Sequence, residues 1–210
     1  MMQYWNPKWC FHTSFSDELR LKTEQMFEEY INQDDNFSRP AEWNCNVKTT
    51  WGSVSGQDIW RQWFDLLQPV WEEFFNEYQA KFPVKVQTEN AWINKYNPGD
   101  FQELHDHCTP TTVLSMVYFH TLNDDDDCRF EFFNDDVPLL LAQNPIGRGE
   151  WSQGPLELQQ RVAPSVKSGD VIIFPPHYLH LVTPHRGTKT RVTFSMNFNL
   201  TPVPTIEVAQ

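Results

Sequence analysis

The 210-residue sequence has no apolar run that approaches the roughly 20 residues a membrane-spanning helix needs. Its N-terminus, MMQYWNPKWC, also lacks the basic and long apolar regions of a signal peptide. Basic residues are scarce as well: 16 Lys and Arg stand against 28 Asp and Glu, a formal net charge of -12. Because nucleic acids and anionic membranes attract proteins through Lys and Arg, this balance argues against both as partners. Without a signal peptide or a membrane-spanning segment, the sequence predicts a cytoplasmic protein.

Cysteine is rare, with 4 scattered residues and no C-x-x-C spacing, which predicts reduced thiols in a cytosolic protein. Cys108 follows two histidines, but we expect a small buried hydrophobe there rather than a metal ligand. The acidic run from Asn123 to Asp127 lacks the glycine and ligand spacing of a calcium loop, so it predicts a solvated hairpin. Residues 134–156, rich in Pro and Gly, form a long connection that is either a lid over a site or a plain insertion.

Aromatic residues are plentiful instead: 9 Trp, 16 Phe and 6 Tyr can build the core of a single domain over residues 1–210. Ser16 and the acids after it predict the start of a helix that runs to about Asn32. A second helix should begin near Gln57 and kink or split at Pro69. From Pro83 the chain becomes short runs of β-forming residues, which predicts a β-sandwich or barrel over 83–200. Residues 1–82 would support it with helices and extended segments, and 201–210 would form a tail.

The most informative stretch, YNPGDFQELHDH, runs from Tyr96 to His107. Pro98 and Gly99 supply a turn, and we expect a strand to begin at His105. Side chains in a strand repeat every two residues, so His105 and His107 would share a face while Asp106 points away. Two imidazoles on one face can hold a metal ion, although two ordinary surface histidines remain an alternative.

A second informative stretch, GDVIIFPPHYLH, ends at His180. Its apolar segment from Val171 to Phe174 predicts a strand buried on both faces. The two prolines after it would end that strand and place His177 and His180 at the rim of the predicted sandwich or barrel. Arg191 follows and opens a strand of alternating polar and apolar residues, as expected of a barrel with a polar interior. A buried guanidinium needs an anion, and its planar fork fits a carboxylate. The alternative is that Arg191 faces solvent.

The chain carries a His-x-His pair, then a distal His, and then an Arg after ten intervening residues. In the order of these residues it resembles the 2-oxoglutarate and Fe(II)-dependent oxygenases. The likeness is greater to bacterial and cyanophage members and to prolyl 4-hydroxylases. Residues 96–107 match Y-x-x-G-x-x-x-x-x-H-x-D except at the last position. SGDVIIFPPHYLH matches the G-D-x-x-x-F-P that precedes the family's distal histidine, and RVTFSMNFN matches its final strand. The resemblance covers about residues 84–200.

The resemblance implies a mostly β fold with supporting α-helices: a double-stranded β-helix (jelly-roll) core with an N-terminal helical layer. It implies His105 and His180 as iron ligands, Arg191 as the group that binds the distal carboxylate of 2-oxoglutarate, and Thr193 and Tyr96 as helpers. Three protein ligands would leave positions for the keto acid and O2, and ascorbate would support activity. The implied reaction is hydroxylation of an unactivated C-H with release of succinate and CO2.

His107 departs from the family, where Asp or Glu is usual. Three histidines can still hold iron, and Asp106 could substitute only if the strand bulges. The resemblance to prolyl hydroxylases makes a prolyl or other peptidyl side chain the expected substrate, and a free amino acid or small molecule stays open. Trp92 and Trp151 are candidates for the substrate cleft. The alternatives are a three-histidine, cupin-like dioxygenase or isomerase that does not use 2-oxoglutarate, and a non-catalytic metal-binding β-barrel.

Overall fold

The structure, a computed structural model, describes residues 8–53, 57–123, 127–135 and 160–203. Most of the predicted lid, from residue 136 onward, lies outside the described residues. Among the described helices, none has both the length and the apolar character needed to span a bilayer.

Three α-helices precede most of the strands. Helix α1 spans Asp17–Asn32, and the Ser16 side chain caps it by accepting from the backbone N-H of Leu19 at 3.2 Å. The second predicted helix is split into α2 (Gln57–Leu66) and α3 (Gln68–Tyr78). Pro69 lies in the first turn of α3, where its missing N-H would have no partner in the helix anyway. A short 3-10 turn (Asp34–Asn36) follows α1.

Two antiparallel sheets contain the described strands. The strands are β1 (Phe11–Ser14), β2 (Lys48–Thr49), β3 (Val84–Tyr96), β4 (Gln102–His105), β5 (Leu114–Thr121), β6 (Phe130–Phe133), β7 (Arg161–Val162), β8 (Asp170–Phe174), β9 (His180–Val182) and β10 (Arg191–Pro202). The larger sheet has the order β1-β8-β5-β10-β3-β2, and the smaller has the order β4-β9-β6-β7. The N-terminal strands β1 and β2 therefore lie at the two edges of the larger sheet.

Two apolar clusters fix the layers. The outer face of the larger sheet packs against the three helices, with Phe194 buried among Phe27, Trp60 and Trp63. The inner faces of both sheets meet in a second cluster, to which β5, β8, β6 and β9 each contribute buried residues. All of β8 is buried, as its apolar sequence predicted. The predicted mostly β fold, with a jelly-roll core and a helical layer, is confirmed.

Strand β10 separates the two clusters. Its apolar residues from Val192 to Phe198 belong to the outer cluster, whereas the alternate polar residues from Arg191 to Asn197 are also buried and must face the other way. Buried polar residues on the inner face create a polar cavity between the sheets, because each needs a partner there.

Two local predictions are wrong. His105 ends strand β4 rather than beginning a strand, and the next strand starts only at Leu114. The β-forming run at 112–121 is separated from the histidines by a loop in which Thr109, Thr111 and Thr112 form local hydrogen bonds. Cys108, expected to be buried, lies exposed in this loop.

Candidate metal centre

Strand register brings two of the three histidines together. His105 and His180 are direct partners across the antiparallel pair β4 and β9. Directly paired residues project from the same face of a sheet, with Cβ atoms about 5 Å apart. The ring centroids of His105 and His180 lie 4.2 Å from each other. Residues 75 positions apart in the sequence therefore share one site, and the register of this short pair is the reason.

His107 joins them although it lies beyond the end of β4. Its backbone N-H donates to the carbonyl of Pro176 at 2.9 Å, so the chain continues beside the segment that leads into β9. One nitrogen from each of the three imidazoles lies within 4.8 Å of the others. Asp106 does not join this group: its side chain is exposed, and its Oδ1 accepts from the backbone N-H of Cys108 at 2.9 Å.

All three imidazoles use Nδ1 in the same way. Nδ1 of His105 lies 2.7 Å from the carbonyl oxygen of Glu103, and Nδ1 of His180 lies 2.8 Å from that of Tyr178. A carbonyl only accepts, so each Nδ1 carries the proton and each Nε2 presents a lone pair. Nδ1 of His107 meets Asn197 Oδ1 at 3.0 Å, which assigns the same tautomer. Three Nε2 lone pairs are therefore available to one ion.

Burial keeps these imidazoles neutral. It lowers the pKa of His105, lowers that of His107 to about 3, and lowers that of His180 well below its ordinary value. Aromatic rings form the low-dielectric surroundings: Phe130 stacks on His180 at 5.1 Å between centroids, and Trp92 packs edge-on against His107 at 5.2 Å. Neutral imidazole is the form that binds metal, so the site is ready for an ion near pH 7.

This burial predicts that the metal-free protein loses stability as the pH falls. The folded histidines take up protons only well below pH 6.5, whereas the unfolded chain does so near pH 6.5. Below that pH the unfolded state binds more protons, so the free energy of unfolding must decrease. Urea unfolding of metal-free protein between pH 7 and 5.5 measures the change, in a range above the titration of most carboxylates. His107→Asn should flatten the decrease, and a pH-independent free energy would contradict the assignment.

Arg191 lies in the same cavity. It pairs directly with Tyr96 across β10 and β3, and Thr193 pairs with Asn94, so these side chains share the inner face. The cavity they line is also lined by the three histidines. Arg191 is only 1% exposed, which excludes the alternative that it faces solvent. The Tyr96 hydroxyl donates to Gln102 Oε1 at 2.7 Å, and burial raises the pKa of Tyr96.

Among the described residues, hydrogen-bond and ion-pair partners contact one edge of the Arg191 guanidinium. Nη1 donates to the carbonyl of Cys128 and lies 3.6 Å from Asp127 Oδ1. Nε and Nη2 are buried and have no hydrogen-bond partner among the described residues. Two buried cationic donors without an acceptor are costly, so this edge indicates a place for an anionic ligand.

The pairing of Arg191 with Asp127 was not expected from the sequence. Asp127 ends the acidic run that we predicted to be a solvated hairpin, but its side chain is only 11% exposed and also lies 3.2 Å from Nδ1 of His185. Asp124 to Asp126 lie outside the described residues. Asp127, Cys128 and His185 are close enough together to suggest a second metal site. The nearby guanidinium and a Cys128 thiol whose pKa burial raises to about 12 argue against a cation there.

His177, Trp92 and Trp151 are also candidates from the sequence, and none of them is a member of the three-histidine group among the described residues. His177, predicted at the rim with His180, is exposed and does not belong to the three-histidine group. Trp92 lines the cavity but is only 3% exposed, and its Nε1 has no partner among the described residues. Trp151 lies outside the described residues.

Known proteins share sequence and fold features with this chain. Residues 90–197 match a protein-family model described as "Putative 2OG-Fe(II) oxygenase". This segment begins within β3 and ends within β10, so it contains all three histidines and Arg191. A search of curated proteins gave no significant match.

Solved structures share the fold at low sequence identity. A prolyl-4-hydroxylase from Pseudomonas putida has 12% identity and a TM-score of 0.58, over 91% of this chain and 92% of that one. A prolyl hydroxylase from Trichoplax adhaerens, in complex with a peptide fragment of the hypoxia inducible factor oxygen degradation domain, has 10% identity and a TM-score of 0.59, over 90% and 83%. HygX from Streptomyces hygroscopicus, with nickel and 2-oxoglutarate bound, has 10% identity and a TM-score of 0.57, over 95% and 84%.

Proposed function

The chain belongs to the family of 2OG-Fe(II) oxygenases, whose cofactors are Fe(II) and 2-oxoglutarate, and we therefore propose that it is a 2-oxoglutarate-dependent hydroxylase. The overall reaction consumes O2, 2-oxoglutarate and a substrate C-H bond. It yields succinate, CO2 and an alcohol, so that one oxygen atom enters succinate and the other enters the product.

One observation carries this proposal: three neutral imidazoles and a partly unpaired guanidinium line the same buried cavity. The described residues that line it include no carboxylate. Fe(II) on three neutral ligands keeps its full charge of about +2, and Arg191 adds a further positive charge that Asp127, 3.6 Å from Nη1, offsets only in part. A dianionic keto acid would balance most of this charge, which is the chemistry expected of a 2-oxoglutarate site.

The roles of the residues follow from their positions. His105, His107 and His180 would hold Fe(II) through Nε2, and the bound iron supplies the activation of O2. Arg191 would bind the distal carboxylate of 2-oxoglutarate through Nε and Nη2, which is a two-point, charge-assisted contact. The hydroxyls of Thr193 and Tyr96, on the same face, would support that carboxylate. Phe130 packs on His180 and Trp92 on His107, and these rings would limit the access of water to the cofactors.

For the substrate we propose a prolyl or other peptidyl side chain. The support is the likeness of YNPGDFQELH to the prolyl hydroxylase motif, and the folds of two structural neighbours named as prolyl hydroxylases. A small molecule would need the same iron and keto-acid chemistry, so the proposal for the substrate class can fail while the proposal for the reaction stands.

The direct test is succinate formation. Protein purified anaerobically, stripped of metal with a chelator and then supplied with Fe(II), ascorbate and 2-oxoglutarate should form succinate when O2 is admitted, even without a substrate. The chelated protein should form none, and returning Fe(II) should restore the activity. A pool of proline-containing peptides that increases succinate formation would support the peptidyl substrate. Absence of any Fe(II)-dependent succinate would contradict the proposed function.

A three-histidine dioxygenase that does not use 2-oxoglutarate is a second candidate. The ligand set favours it, because His107 stands where the family has a carboxylate. Arg191 argues the other way, since such an enzyme would not need a buried guanidinium with two nitrogens that no described residue pairs. Fe(II)-dependent O2 consumption without succinate would identify this candidate.

A further inference from the structure

The third histidine is held in a different way from the other two. His105 and His180 each donate from Nδ1 to a carbonyl two residues earlier in their own chain segment. Almost any sequence could supply those acceptors, because they belong to the backbone. Nδ1 of His107 instead meets two side chains, Asn197 Oδ1 at 3.0 Å and Ser115 Oγ at 3.1 Å. The orientation of His107 therefore depends on the identity of residues from distant strands.

The two acceptors form a fixed pair. Ser115 and Asn197 are direct partners across β5 and β10, and both are at most 2% exposed. The Ser115 hydroxyl donates to Asn197 Oδ1 at 2.8 Å. With that proton directed at Oδ1, the serine oxygen and the amide oxygen both remain acceptors for the proton on His107 Nδ1. In this arrangement the amide oxygen of Asn197, rather than its nitrogen, faces the histidine.

The chemistry of the acceptor also matters. A carboxylate that accepts from a metal-bound histidine makes the imidazole more basic, whereas an amide orients the ring without adding charge. Asn197 therefore orients His107 without adding charge to the site. Trp92 packs edge-on against the same ring, so His107 is restrained on its face as well as at Nδ1.

We propose that Asn197, with Ser115, is the positioning group that allows His107 to serve as the third metal ligand, because its Oδ1 directs the Nε2 lone pair of His107 toward the ion. This inference rests on the proposed iron site. Neither residue would touch the metal or the cosubstrate, and their effect would pass through the His107 ring.

Co(II) titration of the metal-free protein, followed by visible absorption, tests the proposal. Asn197→Leu should weaken Co(II) binding by about 10- to 100-fold, the range found when partners of metal-bound histidines are removed. Ser115→Ala should weaken it less, since the amide acceptor remains. Asn197→Asp restores an acceptor of the same shape and should bind Co(II) at least as tightly as the wild type. Asn199→Leu, on the same strand and without contact to the histidines, is the matched control and should leave binding unchanged.

Proton NMR of the Co(II) protein supplies a readout that a loss of stability would not mimic. The wild type should show three exchangeable, metal-shifted N-H resonances, one for each buried Nδ1-H. Asn197→Asp should move one of them and leave two in place, and Asn197→Leu should lose one through exchange with water. Should Asn197→Leu fail to fold, the spectrum of Asn197→Asp alone decides.

The inference is overturned if Asn197→Leu binds Co(II) within about twofold of the wild type and keeps all three resonances, or if Asn197→Asp shifts none. A wild-type protein that binds no Co(II) would instead remove the metal site itself, and with it the proposed function. The two failures are therefore distinguishable.

Discussion

His180→Ala is expected to leave the protein without iron. His180 lies next to both other histidines, at 4.2 and 4.8 Å between ring centroids, and is only 2% exposed. Its loss would leave two imidazoles in the cavity beside Phe130 and Phe174, with no described carboxylate lining that cavity to replace the ligand. Removing a supporting partner of a ligand costs about 10- to 100-fold in affinity, so removing the ligand should cost more. Iron content after anaerobic reconstitution and gel filtration measures the loss.

Two variants serve as controls for this experiment. His177→Ala changes an exposed histidine three residues away and should retain the iron of the wild type. His107→Asp introduces the carboxylate that the family usually has and should also retain iron. Full iron occupancy in His180→Ala would remove the proposed centre.

Arg191→Met should abolish turnover of 2-oxoglutarate while the protein still binds iron. Each charge-assisted hydrogen bond contributes roughly 1.5–3 kcal/mol, so loss of a two-point contact corresponds to roughly 100-fold or more in binding. The three histidines lie outside β10, and each keeps the backbone or side-chain partner of its Nδ1. Arg191→Lys keeps the charge but loses the planar fork, and we expect weakened rather than abolished use of 2-oxoglutarate. Succinate formation and iron content, measured on the same samples, separate the two functions.

The counter-ion of Arg191 calls for a further control. Removing the guanidinium leaves the largely buried Asp127 carboxylate without its cationic neighbour, which destabilises the protein. The double variant Arg191→Met with Asp127→Asn removes both charges and should be folded, bind iron and form no succinate. Succinate formation at the wild-type rate in this double variant would show that Arg191 does not bind the keto acid.

Regular periodicity made much of the fold predictable. The alternation of polar and apolar residues after Arg191 indicated one face for the core and one for a cavity, and both faces are buried. Ser16 and Pro69 act over a single helical turn, so they marked the beginning of α1 and the division between α2 and α3. Each of these features depends on neighbours within a few residues.

Contacts between distant segments were not predictable in the same way. His105 ends a strand because β4 pairs with β9 only as far as His180, and that register depends on residues far along the chain. Asp127 appeared to be one acid in a solvated run, since nothing local to it indicates Arg191 or His185 as partners. The inward position of Asn197 followed from strand alternation, but its contact with His107 depends on how the loop after β4 returns to the cavity.

A crystal structure of the protein grown anaerobically with Fe(II) and 2-oxoglutarate tests the central claim most directly. We predict one metal ion bound to Nε2 of His105, His107 and His180, with Nε and Nη2 of Arg191 on the distal carboxylate of the keto acid. A metal ion bound elsewhere, or a keto acid that does not contact Arg191, would contradict the account.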